Sequence, residues 1–540
     1  MSKTNRELNN PEEQPKTEEQ PKIEEQPKAV KKAGRQKKSK EEHKERKPAE
    51  KPSWLKLDNA GKIFPAENTP TWSHVIRETA VLNKAVDPKV LTQALEDVMP
   101  RFPCYAMRMR NGFFWNYLEA NDKKCPKVRP DIKNACRRIS WYDNDGFMFR
   151  VFYSRNRISV EFFHAITDGY GMTCFLMTLV ARYLTLKGNE IPASGFVLDI
   201  NEQPSEEELE DAFSKYNKQK GKPKKNKGGV YHFVGTKLRK HRVHITTGYM
   251  SVKQIKELAK KQDATITEFM ATVLLYAMYK QQEEEYGMSK KPLAVQIPMN
   301  GRFKLPSHTL RNFSLSTTAY IDPRKKDFTF DEVLEEVKSQ LRTMATKENF
   351  SAMVRKNTAL ERNPFIRLIP RAIKSRMVSF GYNIIAEHDT SILITNVGKI
   401  TVPDEMLEHV QKVAFMPAPG HICGARTAAA SFGDVFALSF MDIYKEKNVE
   451  RKVFRDLMNL GLDVELEANY PFACNGVKSK NPYPNRTIKP GNDKFNVKAV
   501  TGPLGKLTRT FFVYLNKTIK YLHRKLDPMI KEWFKRYFHV

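Results

Sequence analysis

The chain has 540 residues, 40% of them hydrophobic, with 92 Lys or Arg against 62 Asp or Glu and a net charge of +30. Two packed units plus appended segments are expected at this length, and the charge implies attraction to something anionic: nucleic acid, acidic lipid or the phosphates of a nucleotide-like molecule. From the polar start no secretory signal is expected; the longest uncharged apolar stretches, such as 169–181 and 269–279, are shorter than the ~18 residues that cross a bilayer, and Cys104, Cys125, Cys136, Cys174, Cys423 and Cys474 show no CxxC spacing. A cytoplasmic protein without disulfides or zinc is therefore expected.

Taken in chain order, residues 1–50 are dominated by Glu, Gln, Lys and Pro with almost no large apolar side chain, cannot offset the entropy of folding, and are expected to be a disordered charged tail. Residues 51–200 form a first globular unit, in which 88–98 has the spacing of an amphipathic helix and short aromatic-rich strands follow. The tract 201–242 reads as a basic connecting segment: from 215 to 242 there are eleven Lys or Arg and no acid, and Gly221, Pro223, Gly228 and Gly229 interrupt any helix. A second unit spans 243–476. It opens with alternation over 243–250 and a helix over 251–261; Thr265 and Glu268 then have capping-box spacing before an apolar run, and strand candidates lie at 293–298, 313–321, 392–395 and 435–441. Residues 477–506 read as a linker. Over 507–540, Phe512, Leu515, Ile519, Leu522 and Leu526 recur at helical steps beside Lys517, Lys520, Arg524 and Lys525, as in a basic amphipathic helical tail. Strands and helices interleave in both units, which argues for an α/β fold with mixed sheets.

The chemistry-bearing candidate is His164. From 157 to 164 the sequence alternates, so His164 shares the apolar face of Ile158, Val160 and Phe162; Asp168 and Gly169 follow in a turn, and then a strongly apolar helix. A strand feeding a tight turn and a helix holds a side chain rigidly at the floor of a cleft. A core histidine bonded to backbone is the alternative reading of the same spacing.

His164, Asp168 and Gly169 together resemble the HxxxDG motif of the acyl-CoA-dependent acyltransferase superfamily, which includes chloramphenicol acetyltransferase, plant BAHD enzymes, alcohol acetyltransferases and condensation domains. Pro298, Asn300 and Arg302, with Asn312 and Phe313 beyond them, resemble the superfamily's P-x-N-x-R segment leading to an N-F strand. Thr395, Asn396 and Gly398 resemble its S/T-N-x-G strand end, and Ser431 to Asp434 lies where a related enzyme begins its last core strand. The likeness covers about residues 54–467. The plant motif DFGWG is absent, which points to the alcohol acetyltransferase and condensation-like branches.

The resemblance implies two chloramphenicol-acetyltransferase-like α/β sandwich subdomains with an active-site tunnel between them, and a direct transfer in which His164 is the general base. It implies that Asp168 forms a buried ion pair fixing the loop, as opposed to orienting His164, and Arg302 is the expected partner because a bidentate guanidinium tolerates burial. Gly169 is expected to allow a backbone shape or close approach that a β-carbon would block. Asn396 would bind substrate or tie two strands, and Ser431 would stabilise the oxyanion or be an ordinary strand serine; His421 is read as a loop residue. No metal and no tightly bound cofactor are expected: acyl-CoA is the donor substrate and a hydroxyl-bearing molecule the acceptor. Residues 507–540 would touch anionic membrane, placing the protein peripherally at its inner face, or dock on the protein itself; nucleic acid is not expected, since no recognition motif accompanies the charge. A condensation-type domain fed by a carrier protein, and a non-catalytic binding protein on the same fold, are the competing functions.

Overall fold

A computed structural model describes residues 49–482, except 51, 69–72, 141, 143, 218–228, 240–241, 287–290, 383–388, 419 and 421–423. Residues 1–48, His421, Cys423 and the tail of 507–540 lie outside the described residues. Helix starts follow their local chemistry. The helix Pro88–Val98 is opened by Asp87, whose carboxylate accepts from the amides of Lys89 and Val90, with Pro88 in the first turn where its missing amide costs nothing. The capping box is made in both directions: Thr265 N donates to Glu268 Oε2 at 2.7 Å and Glu268 N to Thr265 Oγ1 at 3.2 Å, and the helix Ile266–Tyr286 begins there.

Two mixed sheets carry the architecture. One has five strands in the order Val410–Met416, Val75–Leu82, Arg157–Phe163, Phe149–Ser154 and Val128–Pro130, antiparallel except for the last pair. The other has seven, in the order Ser314–Ile321, Leu293–Asn300, Ile392–Ile400, Ala425–Phe432, Val435–Asp442, His244–Ser251 and Glu465–Ala468. Within it Ile392–Ile400 runs parallel to both of its neighbours. The first strand of the five-stranded sheet comes from late in the chain: Val410–Met416 leaves the second half and pairs with Val75–Leu82, a strand buried along its whole length.

Strand alternation in the seven-stranded sheet divides two cores. Ala428, Ala430, Phe432, Ala437 and Met441 join the core containing Val413, Phe415, Phe162 and Phe175, while Ala429, Phe436, Leu438 and Phe440 face the core of Phe269, Leu274 and Phe454. The run of alanines at 428–430 therefore lets other side chains approach both faces of a central strand closely. In the first core Phe149 stacks on Phe162 at 4.9 Å, and Phe175 of the helix Gly169–Leu186 meets Phe162 edge-on at 5.3 Å. The opposite phase of Arg157–Phe163 is also buried. There Glu161 accepts from Arg77 Nη1 at 3.1 Å, from Arg150 Nη2 at 2.7 Å and from Cys136 N at 2.7 Å, so the charge is compensated inside the protein.

The connecting tract is structured at both ends. Ala212 and Phe213 pack with Phe313 and Phe350, Glu208 pairs with buried Arg101, and at the far end Leu238 N donates to Ile443 O at 2.7 Å. In the expected linker, Val477–Lys478 pairs with Ala473–Cys474. Among the described residues no helix is long and apolar enough to cross a membrane.

Candidate active site

His164 emerges one residue beyond the strand Arg157–Phe163, and its amide still donates to His74 O at 2.9 Å, which fixes where the side chain leaves the sheet. The imidazole is half-buried, and Phe64 stacks on it with ring centroids 4.4 Å apart and 14° between planes. Nδ1 lies 2.9 Å from Thr167 O and 3.1 Å from Asn312 Oδ1.

The tautomer follows from what surrounds Asn312. Its Nδ2 donates to Asp58 Oδ2 at 3.2 Å, so the carbonyl end of the amide is the end that faces the ring. Both neighbours of Nδ1 are thus acceptors, Nδ1 carries the proton, and Nε2, which has no partner among the described residues, keeps its lone pair. Burial holds the imidazole below the ordinary 6.5, with the Asp168 charge opposing, so the ring is neutral near pH 7. Asp58 is fully buried; burial pushes its carboxyl up to about 6 against the pull of Arg311, and Gly61 N donates to it at 2.6 Å.

Asp168 turns away from the ring. Its Oδ1 accepts from Gly171 N at 3.3 Å, capping the helix Gly169–Leu186, and its Oδ2 accepts from Arg302 Nη1 and Phe313 N, both at 2.8 Å. Arg302 is fully occupied: Nε and Nη2 reach Thr309 O at 2.9 and 2.7 Å, Nη2 reaches Arg311 O at 2.6 Å, Nη1 reaches Asn300 Oδ1 at 3.2 Å, and the guanidinium lies 4.4 Å over the Tyr170 ring. The pair expected between Asp168 and Arg302 is present, and it joins the turn after His164 to the strand entrance at Phe313.

One expectation is corrected. A β-carbon on Gly169 would find nothing nearer than Val397 Cγ2 at 3.6 Å, an ordinary contact, and its backbone is not left-handed. The close approach is at Gly171, where a β-carbon would sit 2.1 Å from Leu310 O, 2.4 Å from Thr167 Oγ1 and 2.5 Å from Tyr105 Oη. Those three atoms form their own cluster: Tyr105 Oη and Thr167 Oγ1 each donate to Leu310 O at 2.8 Å.

Among the described residues Asn396 and Ser431 make no hydrogen bond to the His164 cluster. Asn396 Nδ2 donates to Thr267 Oγ1 at 3.1 Å and its Oδ1 accepts from Gly398 N at 2.8 Å, tying a strand irregularity, where Gly398 has φ of +86°, to the helix Ile266–Tyr286. Ser431, buried and paired in register with Lys399 and Phe436, makes no hydrogen bond to the His164 cluster among the described residues. The sequence carries no signal for Asp58, Phe64 or Gly171, and it marks Asn312 only as part of a strand motif. A cavity lined by Phe233, Met278, Ile392, Tyr444 and Glu450 belongs to the second core and includes none of these residues. Among the described residues no group of three or more His, Cys, Asp or Glu could hold a metal ion.

The fold that carries this site has counterparts among known proteins. The family model described as alcohol acetyltransferase matches residues 211–319, which include Arg302 and Asn312. The structure of F. graminearum TRI101 complexed with coenzyme A and T-2 mycotoxin superposes with a TM-score of 0.53 at 11% identity, covering 76% of this chain and 99% of that one. The fold is the two-subdomain acyltransferase fold. TRI101 complexed with coenzyme A and deoxynivalenol matches over the same shares, 76% and 99%, at 11% identity and a TM-score of 0.51. No curated protein matches the chain by sequence. In the acyltransferase fold the five-stranded sheet supplies His164, and the segment entering Ser314–Ile321 of the seven-stranded sheet supplies Arg302 and Asn312.

Proposed function

We propose that this protein transfers an acyl group from acyl-CoA to an alcohol hydroxyl, with His164 as general base. The observation that carries this reading is the enforced tautomer: Asp58 orients Asn312, Asn312 and Thr167 hold the Nδ1 proton, and Nε2 is left basic, with no partner among the described residues. The alcohol acetyltransferase match and the acyltransferase fold support the same chemistry.

In the reaction, Nε2 accepts the proton of the acceptor hydroxyl as that oxygen forms a bond to the thioester carbonyl carbon. The tetrahedral adduct collapses, the carbon–sulfur bond breaks, and the imidazolium returns the proton to the departing thiolate, giving an ester and free coenzyme A. No covalent enzyme intermediate is required. A neutral ring suits the first step, and burial keeps it neutral. Asp58, Asn312 and Phe64 are positioning residues for the ring; Asp168 and Arg302 hold the turn that carries it.

His164→Ala tests this. Thiol release from acyl-CoA in the presence of alcohols should fall by about 10² to 10⁴, the usual contribution of a positioned base, while the protein folds as the parent does. The acidic limb of kcat/KM in the parent should lie below pH 6.5, in keeping with the lowered histidine value, and should be absent from the variant. A folded His164→Ala protein with the parent's thiol-release rate would refute the mechanism.

A further inference from the structure

A second surface lies close to the site on the described part of the chain. The hairpin joining Met107–Asn111 to Asn116–Ala120 carries Phe113 and Phe114 at its tip, 73% and 39% exposed. Against it lie the helices Pro364–Leu368 and Arg371–Tyr382, on which Leu368 is 69% and Ile373 56% exposed. These are one patch: Arg371 N donates to Phe113 O at 2.9 Å, Arg371 Nε to Gly112 O at 3.1 Å, and the Lys374 ammonium sits 3.9 Å over the Trp115 ring. Four large apolar side chains left uncovered together on one face mark a contact surface.

The charge around them narrows the partner. From 355 to 376 there are seven Lys or Arg and one acid, Glu361, which is engaged by Lys62. Arg362, Arg367 and Arg376 are exposed, and no carboxylate among the described residues pairs with them. We propose that this face docks on an anionic lipid bilayer, Phe113, Phe114, Leu368 and Ile373 entering the boundary between headgroups and acyl chains and the three arginines meeting lipid phosphates. Nucleic acid would use the arginines and leave the aliphatic side chains in water. Covering by residues 507–540 is opposed by charge, since that segment carries eight Lys or Arg and two acids and would bring like charge to like.

The docking face is bolted to the site. Lys62 lies 5.6 Å over Trp115, Asn59 Nδ2 donates to Asn357 O at 3.3 Å, and the same short stretch of chain supplies Asp58 and Phe64 to the His164 cluster. A bilayer held at this face would therefore lie beside the loop that positions the base.

Hydroxyl-radical footprinting of the full chain, with and without vesicles containing 30% phosphatidylserine (on the order of a cytoplasmic leaflet), tests the proposal. Phe113 and Ile373 should be oxidised freely in solution and protected by the anionic vesicles, with little protection from phosphatidylcholine alone. In co-sedimentation, the Phe113→Ser/Ile373→Ser variant should bind anionic vesicles at least about tenfold more weakly than the parent while keeping its melting temperature and its thiol release with a water-soluble alcohol. Residues already protected in solution would mean that another segment or a second copy covers the face, and would overturn the proposal. So would protection by RNA in place of vesicles, or equal vesicle binding by parent and variant. Each of these readouts stands apart from the loss of activity that would sink the acyl-transfer mechanism.

Discussion

Asp168→Asn separates a positioning ion pair from a catalytic one. The carboxylate accepts three hydrogen bonds in a site that is 4% exposed: from Arg302 Nη1 and Phe313 N at 2.8 Å and from Gly171 N at 3.3 Å. An asparagine has one acceptor oxygen. If that oxygen takes the Oδ2 position it keeps Arg302 and Phe313, but its amide nitrogen then faces the Gly171 N–H, donor against donor; the reverse placement loses two partners instead of one. Breaking a buried pair costs about 3 to 5 kcal/mol, and the lower end applies here because Arg302 retains the carbonyls of Thr309 and Arg311. A loss of about 3 kcal/mol multiplies the unfolding constant by roughly a hundredfold, which denaturant melts resolve easily. Turnover per folded molecule should drop less than in His164→Ala, because Nδ1 keeps its contacts with Thr167 O and Asn312. An Asp168→Asn protein that melts like the parent yet has lost turnover would refute the ion-pair role and assign Asp168 to the ring.

Two further outcomes follow from buried geometry. Gly171→Ala should fail to fold or lose several kcal/mol, since its β-carbon meets a backbone carbonyl at 2.1 Å, whereas Gly169→Ala, with 3.6 Å of room, should behave like the parent in both melting and turnover. Glu78 is fully buried and bonded to Thr173 Oγ1 at 2.9 Å, and burial pushes its carboxyl up to about 8. A raised folded-state value means the unfolded chain loses this proton first, so stability is greatest below about pH 4.5 and should decline by roughly 1.4 kcal/mol per pH unit between there and about pH 8 through this group. Glu78→Gln should remove that decline, and a pH–stability curve unchanged by the substitution would show that Glu78 does not hold its proton in the folded protein.

What could be read beforehand was local or carried by a motif. The strand that ends just before His164, the turn at Asp168 and the helix after it are neighbours in sequence, so alternation and spacing suffice. Arg302 is 134 positions from Asp168 and was reachable only because the P-x-N-x-R segment resembles a known pattern. Asp58 and Phe64 sit in a stretch without periodicity, and nothing near them announces that they meet Asn312 and His164. The expectation placed on Gly169 fails for the same reason: which of the two glycines flanking Tyr170 must lack a β-carbon depends on Leu310 O, brought from the other half of the chain. The departure of Val410–Met416 for the first sheet leaves no local trace either, since an apolar strand reads alike whichever sheet receives it.

That borrowed strand bears on how the chain can be made. During synthesis, Val75–Leu82 leaves the ribosome long before its partner: residue 416 follows residue 82 by more than 300 positions, or roughly 20 to 70 seconds at translation rates of about 5 to 20 residues per second. Throughout that interval one edge of the nascent five-stranded sheet has unpaired amides and carbonyls along a strand that the finished fold buries completely, the arrangement that recruits a second strand from any neighbouring chain. The emerging polypeptide should therefore depend on holding chaperones until residue 416 is exposed, and slowing translation between residues 82 and 410 should raise the aggregated fraction, whereas a slowdown placed after 416 should leave it unchanged.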